Sequence, residues 1–314
     1  MILEQQQAMS QQERRCDGEQ PSPRVRARSL PFVLALCAAL LFSGCASQKY
    51  LIHLDTPNNP LAAQLQLSSR QGPQVSSRTE SLLRRYAMLE HYKTDTQQCL
   101  EQMQALVEND PSGELVYAVA ELAYIAGKRA EKEKHEALAL DMYGVAVSNA
   151  YMYLFASEFD PIRNPYDPQF RGACDLYNES LESSLRLVNA KGQLKPGMSY
   201  SVTTGKQTYE VQTVVKGNLR GEDFERLEFV SDFKHNRLDM SGVTYGLGVP
   251  MIAVRKKQSP DDPREKYYPE GLCYPVTALL RVVGPNTHTQ KGIAHRHHCV
   301  LELHDPMVAS DIPV

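Results

Sequence analysis

The chain has no tryptophan in 314 residues and no excess of either charge: 34 lysines and arginines stand against 37 aspartates and glutamates, a formal net of -3. Without a basic surplus there is no electrostatic footprint for a phosphate backbone, which excludes nucleic acid as an expected partner. Seven cysteines are too few, over this length, to staple a disulfide-built fold. Eighteen glycines and nineteen prolines are ordinary usage and exclude a collagen-like or low-complexity chain. Catalytic signatures are scarce as well. Gly197-Met198-Ser199-Tyr200-Ser201 fails the Gly-x-Ser-x-Gly nucleophile turn at its last position, and it precedes a strand-like segment instead of following one. Gly246-Leu247-Gly248 lacks the third glycine of a dinucleotide loop and reads as a turn feeding a strand. No Walker motif, His-Glu-x-x-His or EF-hand loop occurs. The expectation is a non-catalytic role without a cofactor.

What is present is an address. Arg24, Arg26 and Arg28 precede an apolar run at 30–42. Thirteen residues make a helix of about 20 Å, whereas a bilayer core needs about 20 residues. A basic stretch, a short apolar stretch and then small residues is the order of a secretory signal. Leu41-Phe42-Ser43-Gly44-Cys45 resembles a bacterial lipobox, although Phe42 stands where that signal usually has leucine. In such signals a peptidase cuts before a cysteine whose thiol already carries diacylglycerol. An uncleaved signal anchor, or ordinary cleavage near Ala46, is the competing reading. The first 44 residues hold five arginines and four acids, so their removal leaves a net charge of -4. That remainder is no electrostatic membrane binder. The expected membrane link is therefore lipid on Cys45, because two or three acyl chains hold a protein stably. The expected location is the bacterial cell envelope, facing the periplasm.

The domain plan follows from composition and period. Residues 1–44 read as signal peptide, and 45–75 as a lipidated N-terminus with a flexible tether, punctuated by Asn58, Asn59, Pro60, Gly72 and Pro73. Residues 76–190 read as a bundle of five helices. Ser77 with Glu80 forms a capping box, Thr94 with Gln97 a second, and Pro111 opens a third helix. From 115 to 126 nearly every residue is apolar except Glu121, the mark of a buried helix that Gly127 and the charges after it would end. A fourth helix covers about 136–155. The fifth starts at Asp167-Pro168 and carries the stripe Phe170, Ala173, Cys174, Tyr177, Leu181, Leu185 and Val188. Tyr117, Tyr124, Tyr143 and Tyr151 are expected in the core with paired hydroxyls. Residues 195–314 read as a mostly antiparallel β-rich domain, from runs at 209–215, 249–254, 276–283 and 299–303, with room for one helix near 222–233. The fold class is α+β.

Past Cys45, the cysteines are Cys99, Cys174, Cys273 and Cys299, whose spacings match no zinc pattern. They allow three disulfide pairings, and buried free thiols are the other reading. The densest cluster of metal-type ligands is His295-Arg296-His297-His298-Cys299. On a strand His295 and His297 share one face, which makes them candidate metal ligands, but no spacing fixes a fourth ligand and a solvated edge strand is the simpler reading of the cluster. Tyr267-Tyr268-Pro269-Glu270 reads as a packed loop.

Several phrases are familiar as packing units: Ala120-Glu121-Leu122-Ala123-Tyr124, Ala139-Leu140-Asp141-Met142-Tyr143, Tyr151-Met152-Tyr153-Leu154-Phe155, Cys174-Asp175-Leu176-Tyr177-Asn178 and Gly246-Leu247-Gly248-Val249-Pro250-Met251. The first two, with Ala146, resemble a tetratricopeptide helix pair, although no 34-residue recurrence is visible. Together the five resemble the N-terminal half of large bacterial envelope proteins whose second half is an α/β-hydrolase domain. The resemblance covers roughly 76–310. In that family the nucleophile lies downstream of the matching region, so no catalytic residue carries over. The resemblance implies a binding or scaffolding protein whose partner is another envelope protein or a separately encoded hydrolase. The alternative it leaves open is part of a truncated or split hydrolase.

Overall fold

Helix α5 (Gly113–Lys132) is buried on nearly every side, as its apolar circumference requires. Helix α6 (Glu136–Phe155) returns along it, with Tyr153 against Tyr117 and Tyr143 against Tyr124. Gly127 makes the approach possible, since a Cβ there would lie 2.5 Å from the Tyr143 ring. The glycine therefore serves packing and does not end the helix, which continues to Lys132. The computed structural model describes residues 51–161, 163–190, 194–195, 199–204, 207–235, 246–258, 262–263, 265–269, 271–283 and 296–305.

Ahead of this pair come β1 (Leu51–His53), the single turn α1 (Leu61–Gln64), α2 (Ser77–Arg85), α3 (Leu89–Thr94) and α4 (Thr96–Asn109). The helix starts expected at Ser77, Thr94 and Pro111 each shift by one or two residues. Ser76 caps α2, Asp95 caps α4 and Ser112 caps α5, each accepting a backbone N–H from the first turn. Glu121 decides the first of these. Its carboxylate, buried in α5, accepts from Ser76 N at 2.6 Å and from Ser76 Oγ at 2.8 Å.

A free tether does not extend over 51–75. β1 pairs antiparallel with β5 (Phe233–His235) as a two-stranded ribbon. Leu54 N and Asn58 N donate to the carbonyls of Asp232 and Ser231. Leu61 and Leu65 are buried, and Asn59 Nδ2 donates to the Tyr124 hydroxyl at 2.8 Å. Two leucines four residues apart are too short a pattern to announce a docked segment; their partners lie far away in sequence.

Helix α7 (Pro168–Ala190) joins this layer to a six-stranded sheet. The strands are β2 (Ser199–Thr204), β3 (Gln207–Lys216), β4 (Phe224–Phe229), β6 (Val249–Arg255), β7 (Cys273–Val283) and β8 (Arg296–His304), in the order β2-β3-β8-β7-β6-β4. All neighbours are antiparallel except β3 and β8, which run parallel. The architecture is α+β, and residues 50–314 form one compact unit. No helix covers 222–233; that stretch is β4 between two short 3-10 turns. Its pattern, with Phe224, Leu227 and Phe229 buried, suits a strand with a bulge after Phe224.

The joint between α7 and the sheet is polar. Pairing of β6 with β7 ends at Val249 and Ala278, two residues before Leu280. The Tyr177 hydroxyl takes the missing strand's place: it accepts from Leu280 N at 2.8 Å and donates to Leu280 O at 2.6 Å. Next to it, Asn178 accepts from Gly248 N at 2.7 Å and donates to Gly246 O at 2.9 Å. Tyr177→Phe strands two buried backbone groups, and we expect it to cost about 1–3 kcal/mol of stability. Urea unfolding with an unchanged m-value checks this, and an unchanged midpoint would exclude a structural role for the hydroxyl.

Candidate functional site

Because β4, β6 and β7 alternate in direction, the start of β4, the end of β6 and the start of β7 meet at one end of the sheet. Phe224 pairs with Arg255, and Ala253 with Tyr274. The loops there enclose an open cleft of about 610 Å³, lined by Arg220, Glu222, Asp223, Arg255, Lys256 and Tyr268 among others. Backbone bonds from Arg255 N to Leu272 O (3.0 Å) and from Lys256 N to Asp223 O (2.7 Å) tie its walls together. This volume is within the range that holds small ligands.

The cleft's fixed feature is Arg255. Its two terminal nitrogens donate to Glu265, Nη1 to Oε2 at 3.0 Å and Nη2 to Oε1 at 2.6 Å. The guanidinium lies 4.1 Å from the Tyr268 ring centroid. Gln258 N donates to the same carboxylate at 3.2 Å. The hydrogen bond from Arg255 holds the Glu265 carboxyl below its ordinary range, and Glu265 in turn raises Arg255. Around this clamped stack, Lys256, Arg220, Asp223 and Glu222 supply charges of both signs. With both terminal nitrogens of Arg255 taken by Glu265, the clamp braces the cleft wall, and the lining charges of both signs suit a small polar ligand.

The residues singled out in the sequence lie elsewhere. Cys45 and His295 are outside the described residues. His297 is on β8, opposite Tyr209. Its neighbour His298 places Nδ1 3.2 Å from Glu210 Oε2, and His304 Nε2 is 3.0 Å from Glu302 Oε2. Among the described residues no three His, Cys, Asp or Glu side chains are placed to hold one metal ion. Cys99, Cys174, Cys273 and Cys299 are free thiols. Cys99 and Cys299 are buried, and burial pushes the Cys299 thiol up to about 11. Gly246 and Gly248 form the turn into β6 that their spacing suggested. Tyr268 is more than loop packing, since it carries the Arg255 guanidinium. Arg255, Lys256 and Glu265 had no motif to announce them, and the tyrosine pair at 267–268 was the nearest signal.

No protein-family model, curated protein or solved structure matches this chain.

A second group of charges lies between the helices and the turn before β5. Arg186 donates to Glu182 Oε1 (2.8 Å), Asp232 Oδ1 (2.9 Å) and Ser231 Oγ (2.7 Å), and its guanidinium lies 4.2 Å from the Phe229 ring centroid. Lys128 Nζ donates to Ser183 Oγ at 3.0 Å and sits 5.6 and 5.4 Å from the Tyr124 and Tyr143 ring centroids. This is a latch holding three segments together. One member is costly in its charged form: burial and the neighbouring Glu182 push the Glu179 carboxyl up to about 8, against a smaller opposing effect of Lys128.

In the unfolded chain Glu179 ionises near the usual glutamate value of about 4.3. Between there and about 8 the folded form binds the extra proton, so this contribution is full below that window and is lost as pH rises through it. We expect the wild type to lose more urea resistance between about pH 5 and pH 8 than Glu179→Gln. Parallel pH profiles of the two proteins would contradict the assignment.

Proposed function

We propose that the chain is an exported bacterial envelope protein, anchored through lipid on Cys45, whose folded body binds a ligand or partner and catalyses no reaction. The observation that carries this reading is the order of the first fifty residues: three arginines, an apolar run too short to span a bilayer, small residues and then Cys45. Among the described residues no helix is long and apolar enough to cross a membrane. The cleft supports binding, because Arg255 is already immobilised by Glu265 and Tyr268 and needs no ordering when a ligand arrives. The close approach of α5 and α6, with Gly127 admitting the Tyr143 ring, supports reading the pair as tetratricopeptide-like and hence a scaffolding role toward another envelope protein or a separately encoded hydrolase.

Expression in a bacterial host tests the anchor. The wild type should partition into detergent, with an N-terminal peptide starting at Cys45 and carrying diacylglycerol mass. Cys45→Ser should be recovered in the aqueous phase or as an uncleaved precursor. A wild-type N-terminus beginning at Ser47 without lipid would overturn the reading.

A further inference from the structure

We propose that the cleft beside Arg255 binds a short peptide with both ends free, its ammonium held by Asp223 and Glu222 and its carboxylate by Lys256 and Arg220. This names a ligand class for the binding role proposed above and rests on that role.

The charges at the cleft are of two kinds. Arg255 and Glu265 are occupied with each other through hydrogen bonds of 3.0 and 2.6 Å, so they brace the wall and leave no charge over for a ligand. The other four are uncommitted. Arg220 Nη1 stands 3.9 Å from Glu222 Oε1, with the two side chains 76% and 77% exposed. So open an ion pair contributes little, and a ligand can take either member from it. Among the described residues, the Asp223 carboxylate and the Lys256 ammonium have neither an ion pair nor a hydrogen bond. Their backbones are tied together, with Lys256 N donating to Asp223 O at 2.7 Å. Two free charges of opposite sign are thus held on chain segments that touch.

This balance works against simpler ligands. A phosphate placed here is attracted by Lys256 and Arg220 and repelled by Asp223 and Glu222, and a polyamine meets the reverse. Like charge brought alongside costs affinity as surely as opposite charge adds it. A molecule with one charge of each sign satisfies both pairs. The rest of the lining is partly aromatic: the Phe224 and Tyr274 rings pack with centroids 6.3 Å apart, and Tyr268 is 43% accessible. Rings of this kind suit the uncharged body of a peptide between its ends. The volume of about 610 Å³ is in the range that takes drug-sized ligands, and an extended dipeptide is only about 7 Å long.

Calorimetric titration of the purified full chain tests this, with alanyl-alanine, its N-acetyl form, its C-terminal amide, inorganic phosphate and spermidine as probes. We expect the unblocked dipeptide to bind most tightly and each blocked form roughly threefold to fivefold more weakly. Added salt should weaken the unblocked dipeptide although it carries no net charge. In protein carrying Lys256→Gln with Arg220→Gln, amidation should cease to matter while acetylation still weakens binding. Asp223→Asn with Glu222→Gln should reverse that order. Circular dichroism confirms folding, and the single variants Lys256→Gln and Asp223→Asn serve if a double variant misfolds. Equal binding of blocked and unblocked dipeptides, or tighter binding of phosphate or spermidine, would overturn the peptide class and leave the cleft as a binding site. No binding of any probe, with diacylglycerol mass on Cys45, would overturn it and leave the anchor reading intact. Release of free alanine from a bound dipeptide would support the recognition and overturn the non-catalytic reading instead.

Discussion

Two adjacent residues on one helix hold the molecule's two layers in register. Tyr177 and Asn178 satisfy four backbone groups that the sheet leaves open where β6 stops short along β7. Backbone groups at a partly buried joint are costly when unpaired, so the three part-buried contacts, to Leu280 N, Leu280 O and Gly248 N, act as a positional constraint more than as adhesive. Once α7 is fixed against Gly246, Gly248 and Leu280, the start of β6 is fixed as well. Its far end, six residues on, is Arg255.

The same helix carries the second constraint. Buried charge is tolerated when it is paired and hydrogen-bonded. Arg186 answers Glu182 and Asp232 together and covers Phe229, so α7 grips the turn from which the ribbon departs. Glu121 does a comparable job at the other side of α5, where its carboxylate receives both donors of Ser76 at the start of α2; burial still raises its pKa. In each case a polar residue inside an apolar surrounding joins elements that are distant in sequence. Apolar contacts supply the bulk of the burial around them without specifying register so tightly.

These constraints separate two surfaces. The cleft gathers loops at one end of the sheet, and the ribbon gathers the N-terminal segment at the other. In the cleft, a guanidinium clamped between a carboxylate and a tyrosine ring leaves little side-chain entropy to lose on binding. At the ribbon, Leu51 and Ile52 are exposed.

The helical half was legible because its signals are local. The apolar 136–155 stretch and the Asp167-Pro168 start reappear as α6 and α7, and the apolar 115–126 stretch as the buried part of α5. Caps were misplaced by a residue or two, since neighbouring hydroxyls compete and Glu121, 45 residues away from Ser76, settles the choice. The phrases around Tyr177 and Gly246 were visible as separate packing units, yet nothing in either said that they touch. The docked 51–75 segment, the parallel β3–β8 pair and the cleft were not legible, because each depends on partners tens of residues apart. Periodicity reports which face of an element is apolar, and by that means the chain alone determined its long helices, the strands β3, β6, β7 and β8 and the cysteine that follows its apolar run. Strand order, the polar joint on α7 and the meeting of Arg255, Glu265 and Tyr268 were decided only by tertiary structure, since long-range pairing leaves no period in the sequence.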